Sequence, residues 1–161
     1  MAIQCIAHVG ICVSDLERSR RFYRDALGFR EVARLESSSA PTRRLLQVSD
    51  ADVQAAFFER DGLRIELLYY VRPGATAGSL PRPMNQLGLT HLAIRVDALD
   101  ATLADLRRAG ATPLEDTRME NPEFHARAVI VLDPDGTRLE LIEAPGDPAA
   151  PIGVPLSISE A

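Results

Sequence analysis

Arg138-Leu139-Glu140-Leu141-Ile142 places a carboxylate at the centre of a short apolar run. An earlier stretch, Arg64-Ile65-Glu66-Leu67-Leu68, repeats the pattern almost residue for residue, and each stretch follows closely on an Asp-Gly pair, Asp135-Gly136 and Asp61-Gly62. A charge in such a run is costly unless it is paired or bound to a metal. Two acids at matching places therefore ask for a common cation, and the repeat predicts a chain built from two related modules.

Working outward from the two acids, each module reads as βαβββ. Residues 3–13 alternate, with Ile3, Cys5, Ala7, Val9, Ile11 and Val13 on one face and His8, Gly10 and Cys12 on the other, as a half-buried strand does. Ser14-Asp15-Leu16-Glu17 carries a capping pattern, helical spacing runs through Phe22, Tyr23 and Leu27, and Gly28 is a stop. A return strand over 29–35 leads into a polar, loop-like segment beginning at Glu36. Residues 53–59 and 63–71 then form a hairpin around Asp61-Gly62. The pattern starts again at residues 89–96, where His91 lies opposite Leu92, Ile94 and Val96. A helix capped by Asp97 buries Leu99, Leu103 and Leu106 and stops at Gly110; a short strand at 112–115, a loop holding His125, a strand at 128–132 and the strand with Glu140 complete the unit. The fold class is α+β, two βαβββ modules: residues 1–71, a Pro/Gly-rich linker at 72–88, residues 89–144, and a Pro-rich tail at 145–161. His91 lies 83 positions after His8 and Glu140 lies 74 after Glu66, so the first module carries a net surplus of nine residues, which falls in its polar segment at 36–50.

Composition excludes several classes. The chain has 161 residues, 46% hydrophobic and 25% charged, with net charge −5 and pI near 5.2, and it has no Lys/Arg run long enough to track a phosphate backbone. No nucleic-acid partner is expected. No stretch approaches a membrane span and the N-terminus lacks the parts of a signal peptide, so the expected location is cytoplasmic. Cys5 and Cys12, on one apparent strand, are too far apart to bridge.

Each module thus opens with a histidine and closes with a glutamate, both on the face opposite the helix-packing residues. His8, Glu66, His91 and Glu140 supply two imidazoles and two carboxylates, a donor set suited to one divalent ion, Zn, Ni, Co, Mn or Fe(II), and less to Ca. An alternative reading makes the histidines core residues and the glutamates partners of Arg64 and Arg138. It accounts for each residue alone and gives no reason for both pairs to recur. Arg95 and Cys12 share faces with His91 and His8. Arg95 is a candidate for holding a substrate carboxylate or phosphate, against the alternative of pairing with a surface acid. Cys12 reads as a small packing residue, and His125 as a loop histidine that either closes over the site or stands apart from it.

With these residues in place the sequence resembles the vicinal oxygen chelate superfamily, which includes glyoxalase I, methylmalonyl-CoA epimerase, extradiol dioxygenases, and fosfomycin and bleomycin resistance proteins. The resemblance rests on His8-Val9-Gly10-Ile11-Cys12-Val13-Ser14-Asp15-Leu16, Phe22-Tyr23-Arg24-Asp25-Ala26-Leu27-Gly28-Phe29, Arg64-Ile65-Glu66-Leu67-Leu68, Thr90-His91-Leu92-Ala93-Ile94-Arg95-Val96 and Asp133-Pro134-Asp135-Gly136 leading to Glu140. It implies a glyoxalase-like fold, a cupped, mixed eight-stranded sheet with helices outside and one metal inside, in a homodimer. It also implies a metal-dependent lyase, isomerase or epimerase in which Glu140 is both ligand and base and Glu66 its counterpart. The substrate implied is a small 2-oxo or 2-hydroxy compound, carried as a thiol adduct or thioester. Two alternatives stay open: an extradiol-type dioxygenase, disfavoured because Glu66 fills the position those enzymes leave free, and a drug- or metabolite-sequestering protein without turnover.

Overall fold

A computed structural model describes residues 2–76 and 82–150. The chain divides into two compact units, Met1–Leu80 and Pro81–Ala161, and the division falls within the Pro/Gly-rich stretch 72–88. The tail from 151 onward lies outside the described residues.

The first unit contains β1 (Val9–Val13), α1 (Leu16–Arg21), β2 (Arg30–Ser37), α2 (Ala40–Leu46), β3 (Asp52–Arg60) and β4 (Leu63–Arg72). The second contains β5 (Leu92–Arg95), α3 (Leu99–Arg108), β6 (Thr112–Asn121), β7 (Ala126–Leu132) and β8 (Arg138–Glu143). The eight expected strands are present, four to a sheet, in the orders β1-β4-β3-β2 and β5-β8-β7-β6. In both sheets the first strand pairs in parallel with the last and the other neighbours are antiparallel.

Local chemistry explains most boundaries. Asp15 caps α1, its Oδ1 accepting from the Arg18 N–H at 2.9 Å. The chain runs on through a π-helical turn, Phe22–Ala26, whose wider spacing accompanies burial of the consecutive rings Phe22 and Tyr23. Tyr23 also meets Phe29 edge-on, with ring centroids 5.9 Å apart. Gly28 ends this run at φ 69°, where a Cβ would also stand 3.0 Å from Arg60 Nη1, which donates to the Leu27 carbonyl. The β3–β4 hairpin turns on Asp61 and Gly62, at φ 51° and 79°, the positive pair that a two-residue loop needs to match strand twist.

Four expectations are corrected. The strand predicted over 3–13 pairs only from Val9, opposite Ile65 of β4, and residues 3–7 are exposed and lie outside the sheet. The polar segment 36–50 is not a loop throughout: it holds α2, capped by Ser39 Oγ accepting from the Thr42 N–H, with proline at the start. Ser39 and Pro41 are the legible signal. Helix α3 is not capped by Asp97. Ala98 occupies the cap position without a side-chain bond, and Glu143 Oε2 accepts from the Leu99 N–H at 2.7 Å. Strand β6 runs to Asn121, well past 115, across an irregularity between Leu114 and Met119 where Thr117 Oγ1 accepts from the Ile130 N–H.

In each sheet the two faces of the last strand differ. Ile65 and Leu67 in β4, and Leu139 and Leu141 in β8, are fully buried. Helix α1 packs on β3 and β4 and helix α3 on β6 and β8, and their buried residues include Leu99, Leu103 and Leu106. The opposite faces carry Glu66 and Glu140.

The Glu143 bridge between β8 and α3 gives a pH prediction. Arg127 Nη2, bonded to Glu143 Oε2 at 2.7 Å, holds the carboxyl below the usual glutamate range, and the Leu99 N–H adds to this. A pKa depressed in the folded state contributes stability that is present above the unfolded value and lost as pH falls through the folded one. Glu143→Gln is therefore expected to lower the urea midpoint near neutrality, with the difference from the parent shrinking as pH drops below the glutamate range. A difference that stays constant down to the most acid pH would show that charge has no part in the bridge.

Candidate metal centre

The strand register carries the site. In the first unit Gly10 of β1 stands opposite Glu66 of β4; in the second Ala93 of β5 stands opposite Glu140 of β8. Each histidine lies two residues before that partner, on the same face, immediately ahead of its strand. The result is the same pair twice: His8 Nε2 is 3.2 Å from Glu66 Oε2, and His91 Nε2 is 3.0 Å from Glu140 Oε2. Both pairs are half-buried, Glu66 with 17% and Glu140 with 29% of its side chain exposed.

The arginines next to the two acids are engaged elsewhere. Arg64 pairs with Glu59, and Arg138 Nη1 donates to the Arg82 carbonyl. The alternative in which Glu66 and Glu140 serve these arginines therefore loses its support, and the histidines are the partners.

The two pairs are held differently. His8 meets the edge of Phe57, with ring centroids 5.4 Å apart, and Phe57 is the β3 residue opposite Glu66. At the matching place in the second unit Ile130 stands opposite Glu140, and His91 is held instead by Thr90, whose Oγ1 lies 2.9 Å from Nδ1. Tyr70 lies on the face of Glu66 and Leu68, two strand repeats from the acid. Burial pushes the Tyr70 phenol up, and Cys12 and Glu66 add to the shift. Sequence reasoning alone does not pick out Phe57, Thr90 or Tyr70. Period-two counting from Glu66 reaches Tyr70, whereas finding Phe57 needs the hairpin register.

The remaining sequence candidates fall as follows. Arg95 shares the face of His91 and Ala93, and its Nη2 donates to the carbonyls of Ala144 at 2.7 Å and Pro145 at 3.2 Å. Cys12 is exposed on the His8 face, opposite Leu68, and neither it nor the exposed Cys5 is in a disulfide. His125 sits in the exposed turn between β6 and β7 at φ 47°. Among the described residues, no group of three or more His, Cys, Asp or Glu side chains is gathered closely enough to hold an ion, so the observed unit of the site is the His–Glu pair.

These pairs nevertheless fit a metal. Imidazole nitrogen and carboxylate oxygen sit about 2.0–2.2 Å from ions such as zinc, so two such donors at right angles are roughly 3 Å apart. The observed separations of 3.2 and 3.0 Å match that spacing, and neutral imidazole with carboxylate is a donor set that first-row divalent ions accept.

The family model of the Glyoxalase/Bleomycin resistance protein/Dioxygenase superfamily matches residues 5–141. The chain belongs to this superfamily. Within it, the chain is similar to the mitochondrial methylmalonyl-CoA epimerase of Mus musculus, 26% identical over 140 residues that cover 85% of this chain and 71% of that one. It is also similar to the lactoylglutathione lyase of Haemophilus influenzae, 31% identical over 141 residues covering 86% and 91%. Among solved structures, a glyoxalase family protein from Bacillus cereus matches with TM-score 0.77 at 21% identity, covering 91% of this chain and 97% of that one. The α+β architecture expected for a superfamily member is thereby shown. Among the described residues no helix is long and apolar enough to cross a membrane.

Proposed function

We propose that the protein is a divalent-metal-dependent enzyme of the glyoxalase type, which moves a proton on a carbon next to a chelated carbonyl or hydroxyl. His8, Glu66, His91 and Glu140 are its ligands, two from each unit. The observation that carries the reading is the recurrence of one His–Glu pair at one register position in both units, with nearly equal separations. The relatives named as a lyase of lactoylglutathione and an epimerase of methylmalonyl-CoA support a substrate that is a small 2-oxo or 2-hydroxy acid derivative, carried as a thiol adduct or thioester.

A bound divalent ion supplies Lewis acidity, drawing charge from the substrate oxygens and acidifying the neighbouring C–H. The chain's own groups do the rest. The Glu140 carboxylate takes the proton, and Glu66, its counterpart in the first unit, provides a second carboxylate for delivering or removing it, as an isomerisation or epimerisation requires. The His8 and His91 rings would serve as neutral nitrogen donors that help hold the ion beside the carboxylates. Phe57 and the buried leucines behind each strand hold these groups in place before substrate arrives.

Chelator-stripped protein titrated with Ni, Co, Mn and Zn, and then incubated with thioesters and hemithioacetals in D₂O, tests the reading. Tight binding of one of these ions is expected, weakened by His8→Ala and by His91→Ala, with metal-dependent deuterium uptake at the carbon next to the carbonyl. A parent protein that binds none of the four ions, or variants that bind as tightly as the parent, would overturn it.

A further inference from the structure

The observation that the proposed chemistry leaves unused is the hydroxyl of Thr90, 2.9 Å from Nδ1 of His91, while Nε2 of the same ring lies 3.0 Å from Glu140 Oε2. An imidazole so placed has a constraint on each nitrogen. A carboxylate is an acceptor only, so without a metal Nε2 carries the proton it donates to Glu140. The neutral ring then has a bare Nδ1, which needs a donor. When Nε2 is a metal ligand the situation reverses: Nε2 presents its lone pair, the neutral ring carries its proton on Nδ1, and Nδ1 needs an acceptor.

Few side chains satisfy both states from one position. A carboxylate or carbonyl accepts only, and an ammonium donates only; a hydroxyl does either by rotating its hydrogen. We propose that Thr90 is a positioning residue for the metal centre, its hydroxyl donating to His91 Nδ1 in the metal-free protein and accepting from it in the loaded one. This rests on the metal-dependent reading of the site. The role is confined to the second unit. The residue before His8 is Ala7, which has no polar side chain, and His8 is braced by the edge of Phe57 instead. The two histidines are thus equivalent by register and unequal in support: His91 has a polar second contact that follows its tautomer, whereas His8 is steadied by ring packing.

Backing of this kind orients the ring and raises its basicity, and loss of such a contact typically costs about 10–100-fold in metal affinity. Thr90→Val keeps the shape and removes the hydroxyl; Thr90→Ser restores a hydroxyl on a smaller side chain. In a Co²⁺ titration of stripped protein, Thr90→Val is expected to bind about 10–100-fold more weakly than the parent and Thr90→Ser within a few-fold of it. Nitrogen-15 spectra of the parent, at a pH where the ring is neutral, add a readout independent of substitution. The His91 proton is expected on Nε2 without metal and on Nδ1 with a diamagnetic Zn²⁺ bound. Thr90→Val binding Co²⁺ as tightly as the parent, or a His91 proton already on Nδ1 in the stripped protein, overturns the proposal while leaving the ligand set intact. A parent that binds no divalent ion overturns the underlying reading instead.

Discussion

Glu140→Gln is expected to reduce turnover by about 10²–10⁴-fold, the range that a positioned general base contributes, with the circular dichroism spectrum and unfolding midpoint close to those of the parent. The amide has the shape of the carboxylate and still offers an oxygen to an ion, so part of the metal affinity remains. What it lacks is basicity. The side chain is 29% exposed and pairs with His91, so the fold has little stake in its charge. Single-turnover deuterium exchange at the substrate C–H is the direct measurement. If Glu140→Gln exchanges at the parental rate, Glu140 is not the base, and the role passes to Glu66, which the same experiment on Glu66→Gln would reveal.

The adjacent residue gives the opposite result. Leu141→Ala is expected to cost about 2–5 kcal/mol of stability, seen as a lower urea midpoint, with per-molecule turnover of the folded fraction largely kept. Leu141 is fully buried, pairs with Val129 of β7 and with Ile94 of β5, and lies on the face of the sheet that packs against α3. Truncation leaves a cavity among close-packed side chains that relax only partly. A loss below about 1 kcal/mol would mean that the face collapses readily. Two neighbours on one strand, pointing to opposite faces, thereby separate chemistry from stability.

That separation is legible in the amino-acid sequence, because period two in a strand sorts Glu140 from Leu139 and Leu141 whatever the partner strands are. The grouping of histidine with glutamate is legible for a second reason, the repeat: a histidine on the first strand and a glutamate on the last recur in both modules although the number of residues between them differs by nine. Features set by contacts across the chain are hidden from such a reading. Glu143 caps α3 from β8, so the residues near the helix start point to Asp97 instead. Helix α2 is obscured because seven residues with Pro, Thr and two Arg have little apolar periodicity, and its cap is the clearer sign. The late start of β1 is also unreadable, since residues 3–7 alternate as a strand does yet lie exposed outside the sheet. Thr90 reads as one more polar residue of an alternating strand, and only the two neighbours of the His91 ring distinguish it.

The pairing of first strand with last also sets when each His–Glu pair can exist. His8 emerges near the beginning of its unit and Glu66 near the end, and the same holds for His91 and Glu140; the helix and the antiparallel strands come between. During synthesis a histidine therefore waits for its carboxylate until nearly the whole unit has been made. Closing the long parallel pairing is the slow, non-local part of folding. A unit that is cut short or has not closed its sheet presents a single imidazole rather than a His–Glu pair, so under the metal-dependent function proposed above, capture of an ion would report that the last strand has found its place.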